Sequence, residues 1–262
     1  MKTENQAVFV TGASQGTGLC IARRFAREGW NVIIGSRDGA AAKRAADSVA
    51  EKYGVTALGY ETVIGDEENV RSIFSDLDKR GIFVRTVVFN AANFGMGQES
   101  LTVDVEDFMG VFATNVGWNF MIARQAALRM KESGGGALVF ICSNTAYRAV
   151  HDRCAYSASK SAIMGMSRSL AYDWGKYGIR SNCLLPGMIK TERWQENRNG
   201  IQDSILNCTP IGDIAEFEDI ANGAWYFGSD QSANTTGSEL IIDGGNSIQL
   251  IPDYDRWANR NA

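Results

Sequence analysis

The feature that most constrains this chain is its rhythm. Short β-branched runs alternate with longer amphipathic stretches almost from end to end, the pattern of βαβ units in a parallel sheet. The runs predict strands near 7–11, 31–36, 57–63, 86–90, 137–143, 179–185 and 238–243. Apolar residues at three- and four-residue spacing predict helices near 16–29, 39–53, 66–80, 104–132, 155–178 and 216–228. Right-handed crossovers then imply an α/β fold: a doubly wound parallel seven-stranded sheet with helices on both faces. No repeat or Pro/Gly-rich linker interrupts the pattern across the 262 residues, and only three prolines occur, so residues 1–262 are expected to form a single domain. Residues 188–208 break the rhythm, being polar with Trp194 among them, and suggest a substrate lid. Residues 250–262, with Tyr254 and Trp257, form a tail.

Charge and composition remove several classes of function. A formal net charge of −4, with no basic tail, argues against nucleic acid as a partner. No apolar run approaches the ~18 residues of a membrane span, and Met1 to Gln6 offers no secretory core. The five cysteines (Cys20, Cys142, Cys154, Cys183 and Cys208) lack CxxC spacing and lie mostly in apolar segments. They are expected to be reduced, buried thiols in a cytoplasmic protein. His151 is the single histidine, so no histidine-rich metal site is expected.

Directly after the first strand stands Thr11-Gly-Ala-Ser-Gln-Gly-Thr-Gly18, followed by an apolar helix. Glycines let the backbone turn tightly and approach a pyrophosphate, which rests on the positive end of the next helix. Gly12, Ser14, Gln15, Gly16, Thr17 and Gly18 are therefore candidate cofactor contacts. The glycines fall at 12, 16 and 18, giving TGxxxGxG rather than the ordinary GxGxxG. The second strand ends in Ser36 and Arg37, without the carboxylate that would bond both ribose hydroxyls of NAD. A guanidinium suits a 2′-phosphate, which favours NADP(H) over NAD(H).

Tyr156 precedes Lys160 by four residues in Cys154-Ala-Tyr-Ser-Ala-Ser-Lys160. On a helix of 3.6 residues per turn the two share a face, and an ammonium beside a phenol stabilises the phenolate. The pair is a candidate acid and base. Ser143, thirteen residues before Tyr156, closes the fifth strand, where its hydroxyl can donate to a substrate oxygen. Asn115 lies mid-helix, where asparagine is a poor helix former.

The order and spacing of TGxxxGxG, Asn90-Ala-Ala, Asn115, Ser143, Tyr-x-x-x-Lys, Pro186-Gly187 and Asp243-Gly-Gly245 resemble the short-chain dehydrogenase/reductase family over nearly the whole chain. The resemblance implies a Rossmann-type fold and an NAD(P)-dependent alcohol dehydrogenase or ketone reductase, with Asn115, Ser143, Tyr156 and Lys160 catalytic. In the family the asparagine holds a water that relays protons to the lysine, and the lysine bonds the nicotinamide ribose. An ordinary helix-facing polar residue is the other reading of Asn115. Asn90 either packs against adenosine or closes its strand. The match also makes Pro186, Gly187, Ile189 and Thr191 cofactor contacts, the last two orienting the carboxamide. Gln15 stands where NADP-using relatives often carry a base, and Val63 where an aspartate commonly holds adenine. Asn93 replaces a glycine, a place where asparagine tolerates left-handed backbone angles.

The pocket is expected from Asn93 to Gln98, Asn144 to Arg153 and Met188 to Cys208, with Phe94, Met96, Tyr147, Val150, Met188 and Trp194 as apolar lining. A small-molecule ketone or secondary alcohol, bulky and cyclic or steroid-like, fits it, with Phe94, Tyr147, Trp194, Ser143 and Tyr156 as substrate contacts. His151 either touches substrate or faces solvent. The alternatives are a 3-oxoacyl-acyl-carrier-protein reductase, with Arg124, Arg129 and Lys131 as docking cations, and a non-catalytic NADP(H)-binding regulator. In the family, helices matching 104–132 and 155–178 pair across subunits, which implies a homodimer or homotetramer.

Overall fold

Along the first strand Ala7 and Phe9 enter one apolar layer and Val8 and Val10 the other, because successive strand side chains point to opposite faces. The computed structural model describes residues 5–97, 99–191, 194 and 201–249. Its strands are β1 Gln6–Thr11, β2 Asn31–Ser36, β3 Ala57–Glu61, β4 Phe83–Phe89, β5 Gly136–Ile141, β6 Ile179–Pro186 and β7 Glu239–Ile242. They form one sheet in the order β3-β2-β1-β4-β5-β6-β7, with every pairing parallel. The order reverses between β1 and β4, which opens a crevice at the carboxyl edge.

Helices cover both faces. α1 Gly16–Arg27, α2 Gly39–Tyr53 and, later in the chain, α8 Phe217–Gly228 pack on one side around Phe25, Trp30 and Trp225. α3 Glu67–Lys79, α5 Asn119–Glu132 and α6 Cys154–Gly175 pack on the other around Phe74, Trp118 and Phe140. Each fully buried large side chain of this kind contributes about 1.5–3 kcal/mol. Among the described residues no helix is long and apolar enough to cross a membrane.

Five expectations change. β4 begins at Phe83 because Gln6 and Ala7 pair with Phe83 and Val84. Arg85 and Thr86 disguise that start; they reach the carbonyls of Gly135 and Gly228. β3 ends at Glu61, since β2 offers no further partner and the Val63 N–H turns to the Asn69 side chain. The helix over 104–132 is interrupted: α4 Val105–Phe112 passes through a π-helical turn, Ala113–Trp118, into α5. The stretch 188–208, expected to be irregular, includes α7, Ile201–Asn207. Residues 192–193 and 195–200 of it, Gln98, and the tail with Tyr254 and Trp257 lie outside the described residues. Of the cysteines, Cys142 and Cys183 are buried, but Cys154 is exposed and Cys20 and Cys208 are half-buried. Cys154 opens α6 ahead of its buried face, so its apolar sequence neighbours were a poor guide.

Candidate active site

The glycine loop admits no larger residue at its tightest point. A Cβ on Gly18 would lie 2.5 Å from the Gly12 carbonyl oxygen and 2.8 Å from the Ala13 Cα. Gly12 and Gly16 have φ of +63° and +57°, the left-handed region where glycine carries no steric cost. The loop is tied to the end of β4. Thr11 Oγ1 accepts from the N–H groups of Asn90 and Ala91, and Asn90 Nδ2 donates to the carbonyls of Thr11 and Gly12 at 3.1 and 3.0 Å. Both amide hydrogens of Asn90 thus hold the loop, which favours a structural role over packing on adenosine. Gln15 precedes α1 in extended conformation, and Thr17 lies in the first helical turn, whose N–H groups lack intrahelical acceptors. This cradle fits a dinucleotide pyrophosphate.

At the neighbouring strand end Ser36 Oγ donates to Ser14 Oγ at 3.1 Å. Arg37 is exposed and makes no ion pair among the described residues. Val63 is exposed beside them.

Tyr156 and Lys160 do share a face of α6. The Lys160 side chain is buried, with 3 % of the residue exposed, and its Nζ donates to the Ile141 carbonyl at 2.8 Å while lying 5.4 Å from the Tyr156 ring centroid. Burial of an ammonium demands such an acceptor. Ser143 Oγ accepts from the Thr145 N–H and hydroxyl at 3.2 and 3.0 Å, leaving its own hydrogen available. Cys142, between β5 and Ser143, packs its thiol on the Lys160 carbonyl, and burial pushes that thiol up from its ordinary value. It is an inert neighbour.

The Asn115 side chain has structural partners of its own. The π-helical turn aims its buried amide at the segment after β4, where Oδ1 accepts from the Asn93 N–H and Nδ2 donates to the Asn93 carbonyl and to Ser159 Oγ. The amide does not bond Lys160 directly. The Asn115 main-chain carbonyl accepts from Asn119 Nδ2 at 2.8 Å and keeps a second lone pair, which a water can use. Such π-turns occur often at functional sites. Asn93 is not left-handed either; Asp152 is the one described non-glycine residue at positive φ.

The pocket residues divide. Phe94 stacks on Tyr156, with ring centroids 5.6 Å apart at 29°, and Met96, Val150 and Met188 are exposed apolar side chains on the expected segments. Tyr147 is exposed like them, and its hydroxyl donates to Glu239 of β7, a carboxylate that Arg168 of α6 also holds; this bond pushes the phenol up to about 12. The ring, not the hydroxyl, is the part left to meet a substrate. His151 is 92 % exposed and pairs with Asp152 at 3.0 Å, so it faces solvent. The Trp194 N–H donates to the carbonyl and hydroxyl oxygens of Thr191, which places Trp194 in a turn beside the 186–191 loop.

That loop is pinned on two sides. Gly187 has no room for a Cβ, which would lie 2.6 Å from the Asp243 Cβ, and its N–H donates to the Ile242 carbonyl. Asp243 in turn accepts from the N–H groups of Gly245 and Ser247. Ile189 bridges Ala215, and Lys190 binds Asp213 and Glu216. Pro186 ends β6.

Sequence reasoning placed Arg153 at the edge of the pocket but gave it no contact. It stands directly before α6, and its Nη1 donates to the Phe94 carbonyl at 2.6 Å. Its place three residues ahead of Tyr156, one helical turn away, was the available signal.

Comparison with known proteins follows this geometry. A family model described as enoyl-(acyl carrier protein) reductase matches residues 12–247. The 3-oxoacyl-acyl-carrier-protein reductase of Chlamydia trachomatis serovar D is 29% identical over 248 residues, covering 92% of this chain and 97% of that protein. A gluconate 5-dehydrogenase from Burkholderia cenocepacia J2315, solved with NADP and tartrate, superposes with a TM-score of 0.87 at 25% identity over 94% of this chain and 96% of that one. A 7α-hydroxysteroid dehydrogenase, solved with NADH and 7-oxo glycochenodeoxycholic acid, superposes at 0.86 with 27% identity over 96% and 100%.

Proposed function

Since the chain belongs to the short-chain dehydrogenase/reductase family, and is thereby an NAD(P)-dependent oxidoreductase, we propose that it interconverts a ketone and a secondary alcohol using NADP(H). The observation that carries this reading is the buried Lys160 ammonium, fixed by the Ile141 carbonyl beside the Tyr156 ring.

Bound dihydronicotinamide would supply a hydride to the carbonyl carbon. Around it Gly12, Gly16 and Gly18 cradle the pyrophosphate, and Ile189 and Thr191 orient the carboxamide. Tyr156 donates its proton to the carbonyl oxygen as charge gathers there. Ser143 donates a hydrogen bond to the same oxygen. Lys160 stabilises the phenolate left on Tyr156. In oxidation the phenolate takes the proton back. Asn115 acts through others, holding Asn93 and Ser159 in place.

NADP(H) is favoured by Arg37, a guanidinium without an acidic partner among the described residues, next to the Ser36–Ser14 hydroxyl pair. The similar structures hold NADP in one case and NADH in the other. Phe94, Met96, Val150 and Met188 suit a substrate with a bulky apolar body, cyclic or steroid-like. Docking of an acidic carrier protein is disfavoured, because Arg124 pairs with Glu67 and Arg129 with Asp78, leaving Lys131 against Glu132. Assembly as a homodimer or homotetramer is supported by exposed Val105, Met109, Phe120, Leu128 and Tyr172 on α4, α5 and α6. Free thiols at all five cysteines support a cytoplasmic setting, and the whole chain is read as one domain.

The test is Tyr156→Phe. Turnover of a panel of cyclic ketones, steroids and acetoacetyl thioesters should fall at least about 100-fold, with the NADPH dissociation constant unchanged within about threefold. Substantial residual turnover refutes the role of Tyr156; no turnover by the natural protein, with cofactor bound, favours the regulator.

A further inference from the structure

Arg153, Phe94 and Tyr156 form a closed arrangement at the mouth of the site. Arg153 Nη1 holds the Phe94 carbonyl, Phe94 stacks on Tyr156, and Tyr156 stands one helical turn beyond Arg153. Arg153 is partly exposed, and apart from the bond to Phe94 its guanidinium shows no hydrogen-bond acceptor and no carboxylate among the described residues.

The surrounding charge is one-sided. Between 144 and 160 stand Arg148, Arg153 and Lys160 against one acid, Asp152, whose carboxylate faces His151. Arg148 also lacks an acidic partner among the described residues and donates to the carbonyls of Ser247 and Gln249. On the β6–β7 side the acids are engaged elsewhere: Glu239 by Arg168 and Tyr147, Asp243 by two backbone N–H groups, and Asp213 and Glu216 by Lys190. Glu99, Asp104, Glu106 and Asp107 lie beyond Phe94, on the chain leading into α4. The stretch 144–160 is therefore cationic in a chain of net charge −4. For a guanidinium without a counter-ion, a carboxylate offers the planar, bidentate partner its geometry prefers.

Building on the oxidoreductase reading of this site, we propose that Arg153 is a specificity-determining residue. One edge of its guanidinium sets Phe94 over Tyr156; the other binds a carboxylate carried by the substrate. The substrate is then an acid-bearing ketone or hydroxy acid whose apolar body lies against Phe94. Arg153 takes no part in hydride or proton transfer.

Calorimetry on the protein saturated with NADP⁺, where reduction does not proceed, tests this with two matched pairs: 4-acetylbenzoate and its methyl ester, and 4-oxocyclohexanecarboxylate and its methyl ester. Each acid should bind about tenfold or more tightly than its ester, the discrimination expected of a charge-assisted pair. Arg153→Gln should bring the ratio within about twofold, and Arg153→Lys should keep an intermediate ratio. Equal binding of acids and esters to the natural protein, or no binding of either acid, overturns the proposal and needs no folded variant. A loss in Arg153→Gln that falls alike on acids and esters also overturns it, since Arg153 would then only support Phe94. Acid preference without turnover under NADPH would instead defeat the oxidoreductase reading and leave the anion site standing.

Discussion

Asn115 bonds the main chain of Asn93 twice: Oδ1 accepts from its N–H at 2.7 Å and Nδ2 donates to its carbonyl at 2.9 Å. The same Nδ2 donates to Ser159 Oγ, and the Ser159 hydroxyl donates to the Tyr156 carbonyl. One buried amide therefore couples the segment carrying Phe94 to the first turns of α6.

Asn115→Ala would leave the Asn93 N–H without this acceptor and free both Asn93 and Ser159. Each lost bond of this kind costs roughly 0.5–1.5 kcal/mol, more where a buried group stays unpaired. A total of about 2–3 kcal/mol lowers the melting temperature by roughly 5–10 °C in a chain of this size. Turnover should fall more than cofactor affinity, because the glycine loop is held by Asn90 instead. Thermal melts and steady-state kinetics on the same variant check both; an unchanged melting temperature would show that the double bond to Asn93 carries no weight.

Arg37→Ala should raise the KM for NADPH about tenfold or more, the loss of a charge-assisted contact to phosphate, and leave the KM for NADH within about twofold. Steady-state kinetics with both nucleotides, on the natural protein and the variant, measure it. A natural protein that prefers NADH would overturn the assignment of NADP(H).

These residues also show where sequence was informative. The strand alternation and the Tyr156–Lys160 offset are local periodicities, so sheet, helix and shared face were legible before any contact was known. The π-helical turn was not, because it is a single turn inside an otherwise continuous helix, too short to set a periodicity of its own. Its consequence, an amide turned onto Asn93, depends on a partner 22 positions away. The partner of the Tyr147 hydroxyl was hidden for a related reason: Glu239 lies 92 positions later. The Arg153 contact escaped because its partner is a main-chain carbonyl, and sequence patterns carry no mark for a carbonyl.

Asp213 anchors the 186–191 loop through Lys190, with Nζ 2.7 Å from Oδ2, while Oδ1 accepts from the Ile214 N–H. The lysine bond, aided by that N–H, holds the Asp213 carboxyl below its ordinary value of 3.8. A carboxyl depressed on folding stabilises the fold fully above its unfolded value, and that contribution shrinks as pH falls through the folded one. Asp213 is well exposed, so solvent screens the pair and the effect is modest. Urea midpoints of the natural protein and Asp213→Asn should therefore differ near pH 7 and converge towards pH 3. A gap that persists at pH 3 would mean that Asp213 acts by packing rather than by charge. Because Lys190 sits between Ile189 and Thr191, the same substitution should also raise the KM for NADPH at neutral pH, with stability and cofactor affinity moving together.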